Sequence, residues 1–273
     1  MSTMTTLRRV FGVDAGTPAS EAGGAAVRLS GVTKRFGDGP VILDDVSLNV
    51  APGEFVCLLG ASGCGKSTLL NLVAGLDRPT AGSVEVDGDR AALMFQESAL
   101  LPWLTAAQNV ELALRLRGVG RAERRAETTR LLELVRLEGS GHKAPHELSG
   151  GMRQRVALAR ALAQDSRVLL MDEPFGALDA ITRDVLHDEL TRIWHEVGVT
   201  VLFVTHNVRE AVRLGQRVVL LSSRPGRIAH EYAVDIAQPR RIESPAVAEL
   251  SVHITEHLAA EIRRHAHPAG GPR

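Results

Sequence analysis

One octapeptide constrains this chain more than any other stretch. Gly60-Ala-Ser-Gly-Cys-Gly65-Lys66-Ser67 follows an apolar run, Phe55-Val-Cys-Leu-Leu59, and precedes a helix-like run, Thr68-Leu-Leu-Asn-Leu-Val-Ala74. The spacing fits G-x-x-x-x-G-K-[ST], the Walker A pattern. Such a loop belongs between a buried strand and a helix. Its glycines let backbone N–H groups turn toward phosphate oxygens, and the helix start adds its positive end. Lys66 has the length to reach terminal phosphates, and the Ser67 hydroxyl suits Mg²⁺. Gly60, Ala61, Ser62, Gly63, Cys64, Gly65, Lys66, Ser67 and Thr68 are therefore the candidate residues of a nucleotide site.

Composition narrows the function classes. The chain has 273 residues, enough for one large α/β domain or a core with a small subdomain. Only 3% of it is aromatic, so aliphatic side chains must build the core. Lys+Arg and Asp+Glu balance at 32 each, which argues against a nucleic-acid binder with a basic footprint. The two cysteines, Cys57 and Cys64, lack metal-ligand partners at a suitable spacing and read as reduced thiols in a cytosolic protein. No secretory h-region and no run long enough to span a bilayer is visible, so any membrane role must come through a partner.

Along the chain, residues 1–26 are small and polar and read as a disordered lead. Strand-like segments follow at 27–32, 41–43, 46–50, 55–59, 82–87 and 91–95. Between Thr105 and Leu137 the apolar period becomes helical, with Val110 and Leu114, Leu112 and Leu116, then Leu131, Leu134 and Val135. Arg121, Arg124, Arg125 and Arg130 in that block read as a solvated helix face. Strands resume at 167–171, 200–204 and 217–222. After Ile242, the residues Val247, Leu250, Ile254, Leu258 and Ile262 predict one amphipathic helix ending before His265. His253 and His257 share a face of it, but two histidines without a third ligand make a poor zinc site.

Five further stretches single out a family. Leu148-Ser149-Gly150-Gly151-Met152, followed by Arg153-Gln-Arg155, resembles the signature sequence of ATP-binding cassette (ABC) ATPases. Val168-Leu-Leu-Met-Asp172-Glu173 resembles their Walker B strand. Gln96 falls at the Q-loop position, Asp179 at the D-loop position and His206 at the switch position. Phe36 stands where the family places an aromatic against adenine. The resemblance implies an α/β fold: a P-loop NTPase (RecA-like) core with an antiparallel β subdomain and a helical signature subdomain. It would occupy residues 27–242, with the helical part at about 97–155 and a short C-terminal helix and tail at 243–273. It also implies ATP and Mg²⁺ as cofactors. Lys66, Gln96, Glu173 and His206 are the expected catalytic residues, and Ser67, Gln96 and Asp172 the expected metal ligands. Glu173 would take a proton from the attacking water, and His206 would stabilise charge on the γ-phosphate. Ser149, Gly150, Gly151 and Asp179 would serve a nucleotide held by a second copy of the chain, so the family's arrangement is an ATP-closed head-to-tail dimer.

Within that family the chain resembles a stand-alone motor subunit of importers. Gln96-Glu-Ser-Ala-Leu-Leu-Pro102-Trp103 and Ser222-Ser-Arg-Pro-Gly-Arg227-Ile228 look like the nitrate/sulfonate/taurine subgroup. That resemblance implies aliphatic sulfonates as leading cargo, with taurine and nitrate close behind. It also implies transmembrane permease subunits docked near Gln96–Trp103, and a periplasmic or lipid-anchored binding protein acting indirectly. The chain would sit peripherally on the cytoplasmic face of the membrane, with no nucleic-acid partner. A soluble ABC ATPase outside transport is the other class to be weighed.

Overall fold

A computed structural model describes residues 24–88 and 90–266. The polar lead read at 1–26 falls outside these residues up to position 23. Its last residue does not: the Ala26 amide donates to the Val50 carbonyl at 2.8 Å, and its carbonyl accepts from Asp87 at 2.8 Å. The described chain forms two compact units. One, the two-sheet unit, combines Gly24–Asp87 with the chain from Val201 onward; the other, the helical unit, is Gly88–Thr200.

The two-sheet unit begins with β1 (Val27–Arg35) and β2 (Val41–Val50), which pair antiparallel, and β4 (Ala81–Val86) pairs with the other edge of β1. The segments read separately at 41–43 and 46–50 are thus one strand. β1 alternates buried and exposed positions along much of its length, as expected of a strand with one covered face. The second sheet is organised by β3 (Phe55–Leu59), all five of whose residues are buried. It lies parallel between β7 (Thr200–Val204) and β8 (Arg217–Leu221). A strand covered on both faces and both edges has to be a continuous apolar run, and Phe55-Val-Cys-Leu-Leu59 is one. β9 (Ile228–Ala233) closes the far side antiparallel to β8.

Three helices complete this unit: α1 (Lys66–Val73), α6 (Val208–Leu214) and α7 (Pro245–Ala266). The C-terminal helix forms in the predicted stretch but continues through His265 to Ala266, with a different stripe inward. Val247, Ser251, Ile254 and Glu261 are buried, whereas Ile262 is exposed. The two polar members are satisfied locally, Ser251 Oγ by the Val247 carbonyl at 2.6 Å and Glu261 by Arg264 at 2.6 Å.

The helical unit holds the parallel pair β5 (Ala92–Met94) and β6 (Val168–Asp172). Its helices are α2 (Ala106–Leu116), α3 (Arg121–Leu134), α4 (Gly150–Leu162) and α5 (Ala180–Val197). Thr105 and Gln108 form a reciprocal capping box that starts α2. Of the arginines read as a solvated face, Arg124 pairs with Glu111 at 3.1 Å and Arg130 with Glu127 at 2.5 Å. One carboxylate, Glu189 on α5, is almost fully buried. Arg192 reaches it at 3.1 Å, and Arg136 and Arg155 approach at 3.6 Å. A buried carboxylate is tolerated only with such partners, and Arg155 thereby fixes α4 to α5.

The histidines of α7 meet β9. Tyr232 Oη lies 2.6 Å from His257 Nδ1, and the His257 ring lies 4.5 Å from those of both His230 and His253. Partial desolvation, then the two neighbouring histidines, hold the His257 pKa below its ordinary 6.5. Glu256 pulls it the other way and Arg264 adds to the depression. The unfolded chain therefore binds this proton at a higher pH than the folded one. Stability present above pH 6.5 is lost as the pH falls below it. Thermal melts at about pH 7.5 and pH 5.5 should show a steeper loss for the wild type than for His257→Gln. Equal losses would remove His257 from that account.

Candidate functional site

Each unit carries its own share of the expected site. The two-sheet unit holds Phe36, Gly60–Thr68 and His206; the helical unit holds Gln96, Ser149–Gly151, Asp172, Glu173 and Asp179.

The loop Gly60–Gly65 leaves the end of β3 and enters α1. Gly63 and Gly65 have φ of 75° and 105°, a region that costs a side chain dearly, so glycine is required at both. Gly65 caps α1 with no side-chain hydrogen bond, and the first turn contains no acid. An uncapped, acid-free helix start preceded by left-handed glycines suits an anion. Lys66, 7% exposed, donates from Nζ to the carbonyls of Gly60 at 2.8 Å and Ala61 at 3.1 Å. Its ammonium is thereby held against the first two residues of the loop. Ser67 is exposed, while Thr68 is half-buried. These groups fit a polyphosphate with a hard cation, the chemistry of Mg-ATP.

Cys64 does not face outward. It is 1% exposed, and its sulfur lies where a side chain on Gly60 would have to go, 2.6 Å from that Cβ position. It contributes backbone to the loop and packing beneath it.

Phe36 follows β1 and is 55% exposed. Lys34 Nζ lies 4.6 Å from its ring centroid and is anchored by Asp77 at 2.7 Å and the Arg78 carbonyl at 2.8 Å. The hydrogen bond from Lys34 keeps the Asp77 carboxyl below the usual range. The ring is thus braced as an exposed platform by a cation held in place. His206 is exposed at the end of β7, between two residues that fix the turn. Thr205 Oγ1 bonds Glu210 and accepts from the Asn207 amide at 2.9 Å, and Asn207 caps α6.

In the helical unit, β6 delivers Asp172 and Glu173 half-buried at its end. Glu173 has φ of 44°, a strained value for a residue with a side chain and one that clusters at functional positions. Gln96 lies close by: its Nε2 and Glu173 Oε2 stand 3.8 and 3.9 Å from where a Gly176 Cβ would be. Ser149 caps α4, its Oγ accepting from the Met152 amide at 3.2 Å. Gly151 is required by contact, since a Cβ there would come within 2.7 Å of Thr182. Asp179 caps α5 by accepting from the Thr182 amide at 2.9 Å, and hydrogen bonding by the Thr182 side chain, then by its amide, lowers the Asp179 pKa.

Three supporting side chains escaped the sequence reading. Gln154 Nε2 donates to the Gln96 carbonyl at 3.0 Å, and Arg160 donates to the carbonyls of Ser98 and Ala99 at 2.9 and 2.7 Å. The helix after the signature therefore holds the segment after Gln96. Asn109, fully buried, accepts from the Leu101 amide and donates to the carbonyls of Leu101, Leu104 and Thr105. It fixes the turn that presents Trp103, which is 74% exposed rather than packed. The one cue was position: Gln154 and Arg160 lie on the helix begun by the signature. Among the described residues no cluster of histidine, cysteine and carboxylate could hold a metal, and no helix is long and apolar enough to cross a membrane.

Comparison with known proteins gives one family. The ABC transporter profile matches residues 43–176. A taurine import ATP-binding protein of Burkholderia pseudomallei is 47% identical, covering 80% of this chain and 90% of that one. A nitrate import ATP-binding protein of Synechocystis is 48% identical over 72% and 76% of the two chains. An aliphatic sulfonates import ATP-binding protein of Burkholderia ambifaria is 46% identical over 89% and 75%. Among solved structures, the dimeric post-hydrolysis ATP-binding cassette MJ0796 with ADP and Pi is similar with a TM-score of 0.68. It is 35% identical and covers 77% of this chain and 100% of its own.

Burial raises the pKa of both thiols above the ordinary 9.0, with Lys66 only partly opposing the shift at Cys64. Native protein treated with iodoacetamide at about pH 8 should therefore stay unlabelled by intact mass. Unfolding in denaturant should release both cysteines. Rapid native labelling would contradict the inward placement of Cys64.

Proposed function

The chain belongs to the ABC transporter family, and from that premise we propose that it is the ATPase subunit of an importer whose cargo is an aliphatic sulfonate. It is an ATPase that uses ATP and Mg²⁺ and couples hydrolysis to transport. The observation that carries the importer reading is the set of relatives at 46–48% identity, all import ATP-binding proteins. Sulfonate leads because that relative aligns over the largest share of this chain, 89%. Taurine is the second reading, on 47% identity over 80%.

In this reading the loop 60–67 binds the phosphates, and Phe36 supports the base. Lys66 leaves the carbonyls of Gly60 and Ala61 to meet the terminal phosphates. Ser67, Gln96 and Asp172 are the proposed magnesium ligands. Glu173 accepts the proton of attacking water, which is worth on the order of 10²–10⁴ in rate for a positioned base. His206 donates to the charge that develops on the transferred phosphoryl group.

A second copy of the chain supplies the remaining groups. Ser149, Gly150 and Gly151 begin a helix whose positive end suits a phosphate. Exposed Asp179, with Ile181 79% exposed beside it, offers a surface for that copy. The turn bearing Trp103, held from behind by Asn109, is the proposed docking surface for transmembrane permease subunits, with the chain on the cytoplasmic face. A binding protein would engage the permease and meet this chain only indirectly.

Two experiments test the reading. With Mg-ATP, Glu173→Gln should run as a dimer in light scattering and lose turnover, while the wild type with ADP stays monomeric. A monomeric, active variant would contradict the assigned base. Cells whose only copy carries Glu173→Gln should lose uptake of labelled alkanesulfonate. Retained sulfonate uptake with lost taurine uptake would select the second reading. Capture of purely soluble partners from detergent extract would instead favour an ATPase outside transport.

A further inference from the structure

The segment Ser222-Ser-Arg-Pro-Gly-Arg227 joins β8 to β9 and takes no part in the chemistry above, yet it is held against the phosphate loop. Arg224 Nε donates to the Gly63 carbonyl at 3.0 Å. One terminal nitrogen of the same guanidinium lies 2.6 Å from where a Gly63 side chain would begin. Two residues on, Gly226 runs so close to the Cys64 carbonyl that a Cβ would overlap it. The segment thus touches both central residues of the loop, from a position 161 residues away in sequence.

The same segment is fastened on its other side to β2. The Gly226 amide donates to the Ile42 carbonyl at 2.8 Å, and the Gly226 carbonyl accepts from Asp44 at 3.0 Å. Arg227 adds an ion pair to Asp44, with Nε at 3.0 Å. Internally it is closed by Ser222, whose Oγ donates to the Pro225 carbonyl at 2.8 Å and accepts from the Arg227 amide at 3.0 Å. β2 belongs to the sheet whose β1 leads to the Phe36 platform. One short segment therefore ties the sheet on the base side to the loop on the phosphate side.

We propose that Arg224 is a positioning residue for the nucleotide, acting through the Gly63 carbonyl to hold the phosphate loop in its binding geometry. The proposal rests on the reading of residues 60–67 as an ATP site. Its physical content is orientation. Each peptide of the loop can present either its N–H or its carbonyl, and an anion is repelled by the carbonyl. A guanidinium that captures the Gly63 carbonyl holds that carbonyl away from the phosphates. The glycine it acts on has the freedom to flip, which a residue with a side chain would lack.

The test is equilibrium binding of Mg-ATP to the purified full chain. Arg224→Ala and Arg224→Met, which cannot donate, should each weaken binding about 5-fold, the scale of one charge-assisted hydrogen bond. Arg224→Lys can still reach a carbonyl, and should return affinity to within about two-fold of wild type. Amide hydrogen exchange across residues 60–66 without nucleotide should speed up in the Ala and Met variants and not in the Lys variant. Rescue by Lys is what a merely space-filling role would not give, since Met fills similar space. If Arg224→Ala melts early, the comparison of Lys with Met decides. Equal affinity of these two would overturn the proposal. A wild-type chain that binds no Mg-ATP would instead overturn the nucleotide-site reading itself.

Discussion

A loop that binds an anion through its backbone must first dispose of its carbonyls. Every peptide unit carries an acceptor as well as a donor, and the acceptor repels the phosphate that the donor attracts. In Gly60–Gly65 four of the carbonyls have hydrogen-bond donors. Those of Gly60 and Ala61 hold Lys66, which the proposed reading then turns to the phosphates; that of Gly63 receives Arg224, and that of Gly65 begins the α1 ladder through Leu69. The left-handed φ values at Gly63 and Gly65 allow these orientations. The buried β3 strand fixes where the loop starts, since none of its five residues can shift without opening the sheet on both sides.

The helical unit solves a related problem with polar side chains rather than glycines. The segment after Gln96 has little regular structure, so its backbone needs partners from elsewhere. Helix α4 provides them through Gln154 and Arg160, while Asn109 does the same for the turn bearing Trp103. Arg155 on the same helix is engaged by buried Glu189. The helix that begins at the signature serine is therefore fixed at its flank, and its displacement would carry the Gln96 segment along. That arrangement gives a physical route by which an event at the signature helix can be felt at the turn proposed to dock the permease.

What could be read from the sequence divides along the same line. The octapeptide, the apolar run before Asp172-Glu173 and the signature are local patterns, and each falls on a strand end or helix start. Interactions between distant residues left no such trace. Nothing about Arg224 in sequence points to Gly63, and nothing about Gln154 points to the Gln96 carbonyl. β9 was missed because Ile228-Ala-His-Glu-Tyr-Ala233 lies at an edge and is only half-buried, so it lacks the apolar run that announces β3. In α7 the apolar stripe suggested Leu250 and Ile262 as inward positions. The helix turns slightly to bury Ser251 and Glu261 instead, since each finds a hydrogen-bond partner on its own helix. Burial of a polar residue with a local partner is invisible to a hydropathy pattern.

In the proposed site, the base side gives a reason for the support found on the phosphate side. Phe36 offers a face and no hydrogen-bonding group, so it can stack on any base and read none. Lys34 beneath it is committed to Asp77 and the Arg78 carbonyl, which holds the ring in place without adding recognition. Stacking of this kind contributes roughly 1–3 kcal/mol. In that reading the rest of the affinity would come from the phosphates, and through amides whose orientation a glycine-rich loop cannot hold unaided. A platform that does not discriminate and a loop that does not hold itself together call for the same remedy, an external support joining the two. The segment 222–227 is placed to be that support, fastened to β2 on one side and to the phosphate loop on the other.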